Sequence, residues 1–463
     1  MNKIQLQEIL TKPSPEVVKA LQVSSFDKLP KWSDLVKEYD ATKHSIWDVL
    51  KYPSKLNENG QDDFKRTCLK LQELAVNRVA QSMFTTPVQR DYQYDRTSEK
   101  QQKAVDILEE IYRVHNYIDS ENIERCKQWG ASCQIATVWK VYERLNIVEG
   151  EQSKFRLTHK TYSPMEGYTL YPVIDENNEL LVLSILYKDS DNISYFLVFT
   201  NTETPEFRLY KNQGSWELDK ENSKPLLIFP VIFLHLAEPV WGGASGTNKV
   251  EQLEEMESYQ GMYIKRNTLP TFTLDYGEIT GSIKVSEDEK STDSRRIIKV
   301  GKGGAMTDVT WQGAEESINS RYARLRNAFF EEIQVPDTSF ANMVQSNTSA
   351  ENKEMIFADA KAKAKDLGGE WERAFYEELN IVKEFAKILF PSYSTEFDMI
   401  SVRIIIKPYL IRTKKENAEY VSIGSGAMSL ETQVRVLDEV NDIETEVELI
   451  QEQNSASINQ GMI

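Results

Sequence analysis

The sequence predicts an α+β protein of several folding units, with long helices and small antiparallel β segments. Three observations carry this. Apolar residues recur at helical spacing in 62–145 and again in 247–390. Between them, residues 153–217 alternate with period two and are broken by Asn/Asp turns. The length, 463 residues, accommodates about two to four units.

The elements follow in order. Residues 1–60 show only short helical signals. From Asp62 to Phe84, Leu69, Leu71, Leu74, Val76 and Val79 predict a helix packed mostly inside, and Pro87 ends it. A second helix is expected over 98–117, with Val105, Leu108, Ile111 and Tyr112 on one face, and a third over 119–145. TLYPVID and LLVLSILY flank the turn ENNE at 176–179, and ISYFLVFT follows DSDN at 189–192. These are hairpin signatures. A buried run at 226–236 leads through Pro239 to WGGASG and then to a helix from about Thr247 to Asn267. That helix carries a narrow stripe of Val250, Leu253, Met256, Tyr259 or Gln260, and Tyr263, with Glu251, Glu254 and Glu255 outside it. Residues 268–312 are β-like and turn-rich. A second helix of nearly equal length, Ala314 to Val335, has Ile318, Tyr322, Leu325, Phe329 and Ile333 on one side.

A polar stretch, DTSFANMVQSNTS, precedes the longest helix. Thr348 with Glu351 forms its capping box. It runs to Phe390 before Pro391, and Gly368-Gly369 offers a place to kink. Residues 396–412 return to strand character, and two short helices close the chain, the first over Ser429–Val440.

Composition narrows the function. The net charge is −17, opposite to what a protein that grips duplex DNA by neutralising phosphates requires. Three cysteines, Cys68, Cys126 and Cys133, form no C-x-x-C pair and read as free thiols. The longest apolar run, 225–237, is broken by Pro230 and falls short of the roughly 20 residues a membrane span needs, so no membrane is expected. GASGTNK lacks Walker spacing, because Thr247 and Asn248 separate Gly246 from Lys249; it reads as a glycine corner. GKGGAM fails the dinucleotide fingerprint at Met306. His44, His115, His159 and His235 stand in no metal-ligand spacing, and no G-x-S-x-G occurs. The chain is expected not to be an enzyme and to need no cofactor. A metal-dependent nucleic-acid-processing enzyme built on scattered carboxylates is one alternative, and a different structural component of a larger assembly is another.

Two helices about 30 Å long, each with little apolar surface, need neighbours beyond their own chain, as in a ring of parallel rods. FPVIFLHLAEPVWGGASGTNKVEQLEEMESYQGMYIKRN, NTSAENKEMIFADAKAKAKD and AMSLETQVRVLDEVNDIETEVELIQEQ, in this order, resemble the portal proteins (head-to-tail connectors) of tailed bacteriophages in their siphophage form.

The resemblance implies a wing (1–245), a first stem helix (246–267), a clip (268–312), a second stem helix (313–335), a tunnel loop (336–349), a long kinked helix with wing strands (350–414) and a crown with a polar tail (415–463). It implies a ring, usually a homododecamer, at one capsid vertex, assembled in the host cytoplasm. Double-stranded DNA would pass through it without sequence specificity during packaging and ejection. The terminase large subunit, a head-tail adaptor and the major capsid or scaffolding protein would be its partners. Asn342, Gln345, Ser346 and Asn347, with Lys353, Lys361 and Lys365 on the adjacent helix, are the expected DNA-channel residues. Glu251, Glu254 and Glu255 are expected to pair with Arg321, Arg324 and Arg326 on the same or a neighbouring subunit.

Overall fold

The computed structural model describes residues 3–25, 28–53, 64–267, 272–276, 297–301, 312–335, 358–408, 414–437, 446–447 and 449–453. It is an α+β structure. The chain divides into two compact units, residues 1–337 with 360–408, and residues 338–359 with 409–463.

The main core of the first unit is helical. Three short helices, α1 (Lys3–Leu10), α2 (Ser14–Val23) and α3 (Trp32–Tyr39), come first. Helix α4 (Leu71–Phe84) buries Ala75, Val76, Val79, Ala80 and Met83, the spacing that puts one face inward. Helix α5 (Glu99–Glu110) is capped by Ser98, whose Oγ accepts from Gln101 N, and continues as a π-turn over Ile111–His115. Helix α6 (Ile118–Ser132) lies beside α4 and α3. An aromatic cluster joins these helices to residues 371–375. Trp371 stands edge-on to Trp129 at 5.6 Å and to Phe84 at 4.9 Å; such pairs add about 0.5–1.5 kcal/mol each beyond the area they bury.

The expected third helix is shorter than the sequence suggested. Cys133 sits in the left-handed region (φ 62°) and ends α6, and residues 134–148 form a strand, β2 (Gln134–Val148). The β-branched residues Ile135, Thr137, Val138 and Val141 favour the extended form once the helix has been stopped. A short strand, β1 (Gln89–Gln93), precedes α5. Strand β3 (Glu151–Tyr162) pairs antiparallel with β2, and β9 (Val231–His235) takes the other edge of β2.

The hairpins form as expected. Strands β4 (Thr169–Ile174), β5 (Leu180–Lys188), β6 (Ser194–Thr200), β7 (Glu206–Asn212) and β8 (Trp216–Pro225) make one antiparallel meander. Asn178 (φ 62°) and Asn192 (φ 61°) take the left-handed turn positions. The Oδ1 of Asp175 accepts from the amides of Asn177 and Glu179, and that of Asp189 accepts from Asp191 and Ile193. Leu181 to Ile185 are all buried, because both faces of the sheet are covered. Leu6, Val17, Val18 and Leu21 of α1 and α2 pack with Phe196 and Val198. Ala136, Val138 and Phe233 pack with Leu183, Ile185 and Phe199. A two-sided sheet loses strict alternation.

Two long helices follow, α7 (Gly243–Asn267) and α8 (Gln312–Glu332), and they contact one another. Between them, in the stretch read as β-like, β10 (Phe272–Tyr276) and β11 (Ile297–Gly301) pair parallel. Helix α9 (Ala358–Leu389) is helical through Gly368-Gly369 and stops before Pro391. The strand expected over 396–412 contracts to β12 (Ser401–Ile405), preceded by a helical turn at Ser394–Met399; β12 finds its partner in β1. In the second unit a helix at Lys414–Gly424, unforeseen in the sequence, precedes the expected one at Leu430–Leu437. Ser429 Oγ accepts from Thr432 N at 3.2 Å and caps the latter.

Candidate subunit interface: the paired helices and their root

The glycine corner is dictated sterically. Gly242 (φ 78°) and Gly243 (φ 53°) turn the chain from β9 into α7. A Cβ on Gly246 would lie 1.8 Å from the carbonyl oxygen of Trp241, a distance no side chain tolerates. Trp241 is fully buried, and its Nε1 donates to Glu38 Oε2 at 3.0 Å. The same carboxylate oxygen accepts from Thr247 Oγ1 at 2.8 Å. One residue of α3 thereby holds both sides of the corner.

The next turns of α7 are fixed in the same way. Glu254 is fully buried, its Oε1 2.6 Å from His44 Nδ1 and accepting from Leu69 N at 2.7 Å. The other ring nitrogen of His44 lies 2.8 Å from the Glu38 carbonyl oxygen and must donate to it. A proton is therefore held between Nδ1 and the carboxylate. Burial works to lower the His44 pKa, but the hydrogen bond and charge of Glu254 outweigh it and raise the value. Thr67 N donates to Ser258 Oγ at 2.9 Å, and Lys51 Nζ pairs with Glu251 at 3.0 Å.

Helix α8 is anchored at its C-terminal end, where Phe329, Phe330 and Ile333 are buried. Phe330 also lies under the Arg78 guanidinium at 4.7 Å, a contact of about 0.5–2 kcal/mol. Lys249 of α7 reaches Glu332 of α8 at 2.6 Å, and that hydrogen bond lowers the Glu332 pKa. The outer face of the pair carries water-facing surface, with Tyr259 and Ile264 of α7 and Arg321 and Arg324 of α8 exposed.

The predicted site residues separate accordingly. Glu254 is corrected. It belongs to the interior of its own chain, because the narrow stripe widens where α7 meets His44, Lys51, Thr67 and Leu69, and it is unavailable to an arginine of α8 or of another subunit. Glu251 is taken by Lys51, and Glu255 is half-buried. Arg321 Nη2 donates to Gln252 Oε1 at 3.3 Å, and Arg326 lies over the Phe330 ring at 5.8 Å. Lys361 is half-buried and Lys365 exposed on α9. Asn342, Gln345, Ser346, Asn347 and Lys353 lie outside the described residues. Glu38 and His44 were missed. They meet α7 across some 200 residues of sequence, and no local pattern announces such a contact.

Among the described residues, no three His, Cys, Asp or Glu side chains gather as a metal site, and no helix is long and apolar enough to cross a membrane. Cys126 and Cys133 are buried free thiols, and Cys68 is half-buried. Burial raises the Cys133 thiol to about 12. No curated protein matches the chain. A family model described as phage portal protein, SPP1 Gp6-like, matches residues 37–460.

Proposed function

We propose, from the premise that this chain belongs to the SPP1 Gp6-like phage portal protein family, that its copies form a ring at one capsid vertex through which duplex DNA is packaged and ejected. The observation that carries this reading is the helix pair. One end is locked into the core by buried side chains, while the rest is a rod too poor in apolar surface to be covered by its own chain. Rods of this kind find neighbours when copies stand side by side about an axis.

In this reading α7 and α8 are the stem, residues 268–312 the clip that docks the terminase large subunit and later the head-tail adaptor, and 415–463 the crown. Residues 1–245, with the later part of α9 and β12, are the wing, facing capsid or scaffolding protein. The loop 336–349 faces the channel, with Asn342, Gln345, Ser346 and Asn347 brushing the duplex and Lys353, Lys361 and Lys365 near its phosphates. Glu251 and Glu255 meet Arg321, Arg324 and Arg326 of the adjoining stem. The net charge of −17 leaves a polyanion few places to adhere, so it slides.

Electron microscopy of the purified protein tests the reading. Rings with a central hole wide enough for a duplex support it; compact monomers at every concentration overturn it. Shortening 338–347 leaves rings intact and impairs packaging or DNA retention. Loss of the rings would instead make that loop structural.

A further inference from the structure

Two stretches of the chain, residues 41–52 and 64–69, lie along one line of α7. Lys51 pairs with Glu251, His44 and the Leu69 amide meet Glu254, and the Thr67 amide meets Ser258. Met262 completes the line by packing on a small cluster of Ile46, Tyr52 and Phe64. Spacings of three, four and four make this one face of the helix. The cluster stands apart from the main core, which takes Leu69 and, from α7, Val250 and Leu253. Few apolar contacts therefore hold the two stretches down, and their polar links to α7 decide whether they stay.

His44 is the central link, and both of its ring nitrogens are committed. Nδ1 lies 2.6 Å from Glu254 Oε1, and Nε2 lies 2.8 Å from the Glu38 carbonyl oxygen. A carbonyl and an ionised carboxylate only accept, so the ring and its two oxygens need two protons between them. A neutral imidazole beside an ionised carboxylate has one. Whichever nitrogen keeps it, the other sets a lone pair against an oxygen at hydrogen-bond distance. Glu254 is then a buried charge without its cation, and its Oε2 has no hydrogen-bond partner.

The surrounding charges all favour the doubly protonated ring. Glu254 of α7 and Asp40, just past α3, act on it as anions, and Glu38 of α3 reaches it through its carbonyl. Together they outweigh the burial that opposes the charge. The Glu38 carboxylate is committed to Trp241 and Thr247. The lysines to either side of His44 are held elsewhere, Lys43 by Asp40 at 3.1 Å and Lys51 by Glu251 at 3.0 Å. The cation that balances Glu254 is thus the imidazolium, and it lasts only as long as its proton.

We propose that His44 is a proton-operated latch: with both ring nitrogens protonated it clasps residues 41–52 and 64–69 to α7, and loss of one proton lets them lift from that helix while the main core stays folded. The latch is a property of the single chain. Only its consequence rests on the ring reading above. Helix α7 offers a neighbour one surface when clasped and another when open, so assembly weakens as the latch opens.

Hydrogen exchange of the full chain tests the latch. The Thr67 and Leu69 amides, bonded to Ser258 and Glu254, should lose protection beyond the intrinsic pH effect. The loss should reach up to about tenfold per pH unit above about pH 6.5 and level off once the folded His44 pKa is passed. Amides of the buried Val182 and Val198 in the β4–β8 meander should keep theirs, and His44→Gln should abolish the slope. Protection at Thr67 and Leu69 that ignores pH overturns the proposal, and so does protection that falls together with that of Val182 and Val198, which would be global unfolding. A second arm follows rings. The concentration for half-assembly should rise over the same pH range in wild-type protein and stay level in His44→Gln; an equal rise in both overturns the consequence for assembly. Absence of rings at every pH overturns the ring reading alone, because exchange is read on the single chain.

Discussion

The inner and outer faces of the helix pair are built on opposite principles. On the inner face, polar groups that enter the interior find partners: Glu254 Oε1 meets His44 and Leu69, Ser258 meets Thr67, and Thr247 and Trp241 meet Glu38. On the outer face Arg321, beside Gln252, and Arg324 are exposed, and so are Tyr259 and Ile264. The stripe that looks uniformly narrow in the sequence is thus two surfaces. One is completed within the chain and one is left for a neighbour. Substitutions on the inner face should therefore be read as folding defects, and those on the outer face as assembly defects.

The largest expected effect is at the corner. Gly246→Ala forces a Cβ into the Trp241 carbonyl and should cost about 3 kcal/mol or more, measured as a fall in the denaturant midpoint. An unchanged midpoint would mean the corner has freedom to move. Next is Glu254→Ala, which leaves His44 and the Leu69 amide unanswered inside the protein and should cost about 3 kcal/mol. His44→Phe with Glu254→Leu should recover much of that loss, because removing both partners removes the buried orphan.

The third effect depends on pH. The folded His44 pKa is raised above 6.5, so its stabilisation is complete below about pH 6.5 and is lost as pH rises through the folded value. Wild-type protein should lose stability on going from pH 6 to pH 9, and His44→Gln should lose less. Equal slopes would show that the pair does not hold its proton. Lys249→Met is smaller. Its partner Glu332 is half exposed, so the loss should be about 1 kcal/mol or less.

The smallest effect on folding sharpens the contrast most. Arg324→Ala should shift stability by less than about 0.5 kcal/mol, yet raise the concentration at which rings form. If it unfolds the subunit and leaves assembly alone, the division between the two faces is wrong.

Local chemistry alone determined much of this protein. Asn/Asp turns and alternating strands specified the β4–β8 meander, Pro391 the end of α9, the glycines the corner at 242–246, and the ordered motifs the family. Each of these is a property of a few adjacent residues, so the sequence displays it directly. What the tertiary structure decided was partnership at a distance. It stopped α6 at Cys133 in favour of a strand. It set β10 parallel to β11. It gave β12 a partner in β1, and it turned Glu254 from a surface charge into an interior one. In each case the competing local forms lie within a kcal/mol or so of one another, and the choice fell to contacts with residues far away in the chain, which no short window of sequence contains.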